Sequence, residues 1–206
     1  MRLGILVSGR GSNLEAVLRA VADVRLPDVE PVLVIANRHG IRALEVAARN
    51  GVRWRVMASA DHGSLEARDE AIGQAMTEAG CDLVLLAGWD QLLRPPYFVA
   101  YTGRTINVHP SLLPRHGGRG MMGLAIHASV LAAGDAETGV TVHDVTEELD
   151  AGPPISQVRM AVDPGLTAGE LAERVLPLEH RTVVEVLARL SASMTAAPPA
   201  PIRTRR

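Results

Sequence analysis

Short apolar runs alternate with amphipathic stretches along the first half of the chain. Arg2 to Val7 is an apolar run of strand length. After a glycine turn, Leu14, Val17, Leu18 and Val21 recur at helical spacing. Pro31 to Ala36 is a second strand without polar interruption, the pattern of a strand covered on both faces. Ile41 to Asn50 reads as a helix closed by Gly51, and Val52 to Met57 as a third strand. Ser64 is placed to cap a helix that buries Ile72 and Met76 and ends at Gly80. Asp82 to Ala87 is a fourth strand, wholly apolar after its first residue. This β-α-β-α-β-α-β order predicts a parallel sheet with helices on both faces.

After Gly88 the pattern loosens. Leu92 to Ala100 predicts a short helix entered at Pro95-Pro96, and Thr105 to His109 a fifth strand. His116 to Gly123 is rich in glycine and reads as a mobile lid. Leu124 to Ala133 predicts a helix stopped by Gly134. Gly139 to Val145 and Ile155 to Val162 are two strands close enough in sequence to pair antiparallel. Thr167-Ala168-Gly169-Glu170 is a capping box, opening a helix to about Leu190 with a kink expected at Pro177. The expected fold is therefore an open, mostly parallel twisted α/β sheet of Rossmann-like type, with antiparallel strands added near the C-terminal end. Residues 1–190 would form one domain, and proline-rich 191–206 a disordered tail.

Composition narrows the class. Hydrophobic residues make up 47% of the 206 residues but aromatics only 2%, so Val, Leu, Ile and Ala must build the core. A net charge of −2 without a long basic run argues against nucleic acid as the main partner. The lone Cys81 excludes an internal disulfide and fits a reducing compartment. No apolar run approaches the ~20 residues that cross a membrane, and the N-terminus lacks a signal peptide's layout. A cytoplasmic protein with small-molecule partners is expected.

Three segments carry candidate chemistry. In Thr105 to Pro114 the side chains of Asn107 and His109 share one face of a strand, at its carboxyl end. In open α/β sheets ligands bind at that edge. Asp150 lies in a turn-rich segment from which a carboxylate can swing against His109. Amide, imidazole and carboxylate together can stabilise an oxyanion, hold a charged imidazole and move a proton. On spacing alone, Asn107 and His109 read first as a polar strand end. The second segment is the turn Ser8-Gly9-Arg10-Gly11-Ser12-Asn13-Leu14. It lacks the third glycine and the later acid of a dinucleotide site, and the Gly-Lys-Ser/Thr of a P-loop. A site for one phosphate remains, as does a plain strand-to-helix turn capped by Ser12 or Asn13. The third is Glu179-His180, which on spacing alone reads as a solvated pair on a long helix. The seven histidines show no metal spacing, and His127 and His143 read as structural.

Taken in order, these segments resemble the folate-dependent formyltransferases over about residues 2 to 190. The turn Ser8-Gly9-x-Gly11-Ser12-Asn13-Leu14 is similar to the family's phosphate turn. Leu86-Ala87-Gly88-Trp89 with Leu92-Leu93 is similar to its folate-pocket segment, and Asn107-x-His109-Pro110-Ser111-Leu112-Leu113-Pro114 to its catalytic strand. Gly139-x-Thr141-Val142-His143 and Glu148-Leu149-Asp150-x-Gly152-Pro153 are similar to its folate loop and catalytic acid. Glu179-His180 matches a ribose-contacting pair on the last helix. The early glycine turn narrows the resemblance to the glycinamide ribonucleotide branch.

The resemblance implies formyl transfer from 10-formyltetrahydrofolate to the amine of glycinamide ribonucleotide, in purine biosynthesis, without a metal. It assigns the chemistry to Asn107, His109 and Asp150, and the ribonucleotide to Gly11, Ser12, Asn13 and Glu179. It assigns the folate to Gln91, Leu92, Leu93, Asn107, Thr146, Glu147, Glu148, Leu149 and Asp150. Two departures bear on the folate tail. Leu65 stands where many relatives carry an arginine, and Gln91 replaces a basic residue. Arg119, in the glycine-rich loop, would meet either phosphate or folate carboxylate. The competing readings are another folate-dependent formyl enzyme, acting on water, a sugar amine or methionyl-tRNA, or a non-catalytic nucleotide-binding module. The tRNA enzyme's extra C-terminal domain has no counterpart after Leu190, and the hydrolase's N-terminal regulatory domain has no room before Arg2. A monomer or a homodimer is compatible with the sequence.

Overall fold

The elements follow one another as β1 (Arg2–Val7), α1 (Ser12–Ala22), β2 (Glu30–Ala36), α2 (Arg42–Arg49), β3 (Trp54–Val56), α3 (Leu65–Glu78) and β4 (Leu83–Leu86). They continue as α4 (Pro95–Ala100), β5 (Arg104–His109), α5 (Leu124–Ala132), β6 (Glu137–Asp144), β7 (Pro154–Ala161) and α6 (Ala168–Thr195). These come from a computed structural model, in which residues 1–195 are described. One seven-stranded sheet runs β3-β2-β1-β4-β5-β6-β7. Its first five strands are parallel, and β6 and β7 join antiparallel.

Alternation along the central strands sorts side chains into two cores, as the period of a strand requires. Leu3, Ile5 and Val7 of β1 and Leu83 and Leu85 of β4 pack with α1, α2, α5 and α6. Leu6, Val84 and Leu86 face the other way, onto Ile72 and Met76 of α3 and Tyr97 of α4. Tyr97 is the one bulky aromatic fully inside, and its hydroxyl is satisfied by Thr105 Oγ1 at 2.8 Å.

Element limits differ from the sequence reading where a physical reason overrides periodicity. β3 shrinks from Val52–Met57 to three residues because it is an edge strand with one neighbour. α4 begins at Pro95, not Leu92. Arg94 precedes a proline and is held extended at φ −89°, ψ 166°. Gly11, not Ser12 or Asn13, occupies the cap position of α1. The capping box is formed, with Thr167 N–H donating to Glu170 Oε2 at 2.8 Å. α6 passes through Pro177 and runs to Thr195, beyond Leu190. Ser191 and Ser193, read as tail, lie in this helix, where their hydroxyls donate back to the carbonyls of Ala188 and Arg189. The rest of the expected tail, 196–206, lies outside the described residues.

A buried ion pair holds the segment that leaves β4. Arg68 and Asp69 on α3 are fully buried and bonded to each other. Asp69 Oδ2 accepts the Arg94 backbone N–H at 2.9 Å, and Arg68 donates to Ser59 at 3.0 Å and to Gln91. The guanidinium also stacks 5.8 Å from the Trp89 ring. Asp69→Ala should cost about 3–5 kcal/mol in denaturant unfolding, because it strands a buried guanidinium without its counter-charge.

Candidate functional site

A cavity of about 970 Å³ opens at the carboxyl ends of β1, β4 and β5. Strand order reverses between β1 and β4. The chain after β1 enters α1 on one face, and the chain after β4 leads to α4 on the other. The space between them stays open, as at the switch point of other doubly wound sheets.

The antiparallel addition of β6 completes one wall. Register places His143 directly opposite Asn107. The Asn107 Nδ2–H donates to His143 Nε2 at 3.1 Å, while His143 Nδ1–H donates to the Asp144 carbonyl at 2.9 Å. Burial, above all, pushes the His143 pKa down, consistent with a neutral ring that accepts at Nε2. His109 is almost fully buried, and its Nε2–H donates to the backbone carbonyl of His116 at 2.9 Å. Its other nitrogen, Nδ1, faces Asp150 Oδ2 at 3.8 Å. Asp150 Oδ1 is 3.8 Å from His143 Nε2, and Oδ2 accepts the Gly118 N–H at 2.8 Å. Both 3.8 Å separations exceed hydrogen-bond length, so the carboxylate faces two imidazoles and is bonded to neither.

Asp150 reaches this place from a tight turn. Its own φ is +53°, and two residues on the chain passes the Asp144 carbonyl so closely that a Cβ on Gly152 would lie 1.8 Å from that oxygen. Only glycine fits there.

At the other end of the cavity the glycine turn presents Gly9, Arg10, Gly11, Ser12 and Asn13. Gly11 has φ +75°, and a Cβ there would lie 2.8 Å from that of Ala43. Asn13 Nδ2 donates to Glu179 Oε2 at 3.0 Å, so α1 and α6 meet through this bond. Burial raises the Glu179 pKa, against smaller lowering contributions from Asn13 and Arg10.

Of the residues expected to hold the second ligand, Gln91, Leu92, Leu93, Thr146, Glu148 and Leu149 line the cavity. Glu147 is exposed and does not. Gln91 turns its side-chain oxygen to Arg68. Exposed Leu92, Met122, Leu124 and Leu149 ring the mouth. His143, read as structural, belongs to the site. Its place opposite Asn107 comes from pairing register, which a single sequence does not carry, although the resembling segment Gly139 to His143 includes it. His127 also lines the cavity, with burial lowering its pKa. Among the described residues no group of three or more His, Cys, Asp or Glu is placed to hold a metal ion, and no helix is long and apolar enough to cross a membrane.

An amide, two imidazoles and a carboxylate lie together at the switch-point cleft of a doubly wound α/β sheet, and groups of these kinds can stabilise charge and move protons. The formyl transferase family profile matches residues 1–187, and the chain belongs to that family. It is 34% identical to phosphoribosylglycinamide formyltransferase of Escherichia coli, over 87% of this chain and 82% of that one. It is 38% identical to the chicken trifunctional purine biosynthetic protein adenosine-3, over 88% of this chain but only 17% of that protein's length. Among solved structures, glycinamide ribonucleotide transformylase 1 of Symbiobacterium toebii superposes with a TM-score of 0.87 at 37% identity, over 94% of this chain and 88% of that one.

Glu179 supplies a stability prediction. Its folded pKa lies above its unfolded one, so the fold prefers the protonated acid. That preference costs nothing at low pH and destabilises increasingly as pH rises from the ordinary glutamate range to the raised value. Glu179→Gln should therefore melt above the wild type near pH 7, with the difference vanishing below about pH 4.

Proposed function

We propose that the protein transfers a formyl group from 10-formyltetrahydrofolate to the amine of glycinamide ribonucleotide, as a cytoplasmic enzyme of purine biosynthesis. The observation that carries this reading is the convergence of Asn107, His109 and Asp150 on one cavity wall, with the anion-suited turn at Gly11 on the other. The names of the relatives support the formyl transfer and the glycinamide ribonucleotide acceptor.

Gly11, Ser12 and Asn13 would receive the phosphate end of the ribonucleotide, and Glu179 its ribose. Leu92, Leu93, Thr146, Glu148 and Leu149 would enclose the pterin. The substrate amine attacks the formyl carbon, forming a C–N bond and a tetrahedral oxyanion. Asn107, anchored by one N–H to His143, has a second N–H to offer that oxygen. His109, tied through Nε2 to a backbone carbonyl, has Nδ1 for the reaction, and protonation there gives a charge-assisted donor. Asp150 accepts the proton that the amine loses, directly or through a water. The oxyanion then re-forms the carbonyl as the bond from the formyl carbon to the folate nitrogen breaks, and that nitrogen takes the proton held by Asp150, so charge and protons balance.

The direct test is formyl transfer from 10-formyltetrahydrofolate to glycinamide ribonucleotide, with water and a sugar amine as control acceptors. Faster release of formate to water would make the protein a hydrolase. Asn107→Ala should lose about 10²–10³ in kcat, or about 3–4 kcal/mol of barrier. Alanine at His109 and asparagine at Asp150 should each lose at least as much. The double variant should be little worse than the poorer single, because both act on one transition state.

Gly11→Val should raise the KM for the ribonucleotide far more than that for the folate. Equal effects on both would reduce the turn to a structural element.

A further inference from the structure

The His109–Asp150 pair is held by a short stretch of the glycine-rich loop. The His116 carbonyl accepts from His109 Nε2, and two residues later the Gly118 N–H donates to Asp150 Oδ2. His116 itself has φ +55°, a left-handed backbone that a side-chain-bearing residue keeps only where its surroundings enforce it. The enforcement is visible at the ring. His116 Nδ1 meets Ser129 Oγ at 2.8 Å and Nε2 meets Asp135 Oδ2 at 2.8 Å, so both nitrogens are engaged. Arg115 holds the second oxygen of Asp135. The His116 ring and the Asp135 side chain are 10% and 8% exposed, and neither residue lines the cavity.

We propose that His116, clamped between Ser129 on α5 and Asp135 just beyond it, is a positioning residue that fixes the ring tautomer of His109. With the ring clamped, the His116 carbonyl stays aimed at Nε2 and keeps the proton on that nitrogen. The nitrogen left to face Asp150 is then always Nδ1. With the clamp released, the backbone at His116 relaxes from its left-handed conformation, the carbonyl turns away and either nitrogen of His109 can carry the proton. The inference rests on the reading of His109 and Asp150 as the reacting pair. The clamp residues touch no substrate and act only through that pair.

Two measurements test this. The first reads the His109 tautomer by long-range ¹H–¹⁵N correlation in ¹⁵N-histidine-labelled full-length protein, assigned by loss of the signal in His109→Ala. It needs no substrate, so it stands whether or not the protein proves to act on glycinamide ribonucleotide. The second is steady-state formyl transfer. The wild type should show the Nε2–H tautomer. Asp135→Ala should give a mixture of tautomers and lose about 10- to 100-fold in kcat, with both KM values within about threefold of wild type. Asp135→Asn keeps an oxygen for the His116 ring, and should restore the tautomer and bring kcat to within about threefold of wild type. If Asp135→Ala does not fold, Ser129→Ala should show the same mixed tautomer and a smaller loss of kcat. An unchanged tautomer in the folded alanine variant overturns the proposal, whatever happens to the rate. So does a rise in KM at constant kcat, which would make the clamp a binding device. Mixed tautomers in Asp135→Ala, beside an Nε2–H wild type that shows no transfer activity, would leave the clamp standing and overturn the assigned reaction.

Discussion

Everything at the site depends on the reversal of strand order between β1 and β4. A parallel strand cannot turn back on its neighbour, so each crossover must pass over one face of the sheet. Here α1 and α2 take one face, and α3 and α4 take the other. Only at the reversal do two adjacent strands send their chains in opposite directions. The gap left there is where the glycine turn after β1, the Gly88–Leu93 segment after β4 and the end of β5 meet. No side chain creates the cleft. It follows from covering both faces of a sheet whose strands are apolar on both sides.

What the cleft does is decided by the change from parallel to antiparallel pairing. A sixth parallel strand would have needed a crossover and placed its amino end elsewhere in the sheet. The antiparallel β6 instead sets His143 beside Asn107 and delivers the chain, one turn later, to Asp150. The amide is thereby fixed by a neutral imidazole, and the carboxylate arrives between two rings. Loss of hydration keeps His143 neutral. That neutrality lets the ring accept from Asn107 in place of competing with it as a donor.

Period-2 and period-3.6 patterns made the order of elements, the two covered faces and the antiparallel pair legible, because burial dictates those patterns directly. Limits were less legible where something other than burial decides. β3 stops where its single neighbour stops, and Arg94 is extended because a proline follows it. Asn107, His109 and Asp150 could be grouped from residue type and the resemblance, and they do meet. His143 entered only as part of a resembling segment, with no contact to Asn107 legible, and His116 and Asp135 could not be grouped at all. Their roles arise from register across strands and from a contact between a loop and the end of α5, neither of which leaves a local periodic trace. Gln91 lines the cavity, but its polar end is claimed by a buried arginine that no local pattern announces.

The loops around the cavity are irregular, and irregular backbone near a core must still find partners for its N–H and C=O groups. In this molecule two such groups find the side chains of His109 and Asp150. The His116 carbonyl accepts from His109, and the Gly118 N–H donates to an oxygen of Asp150. One bond thus satisfies the loop and aims the side chain, so neither can be changed without the other. The ladder does not hold these residues, and sheet stability does not protect their alignment. It has to come from the few side chains that pin the loop at its base, which is why a histidine in a left-handed backbone conformation, buried against an aspartate and a serine, sits just outside a cavity it never touches.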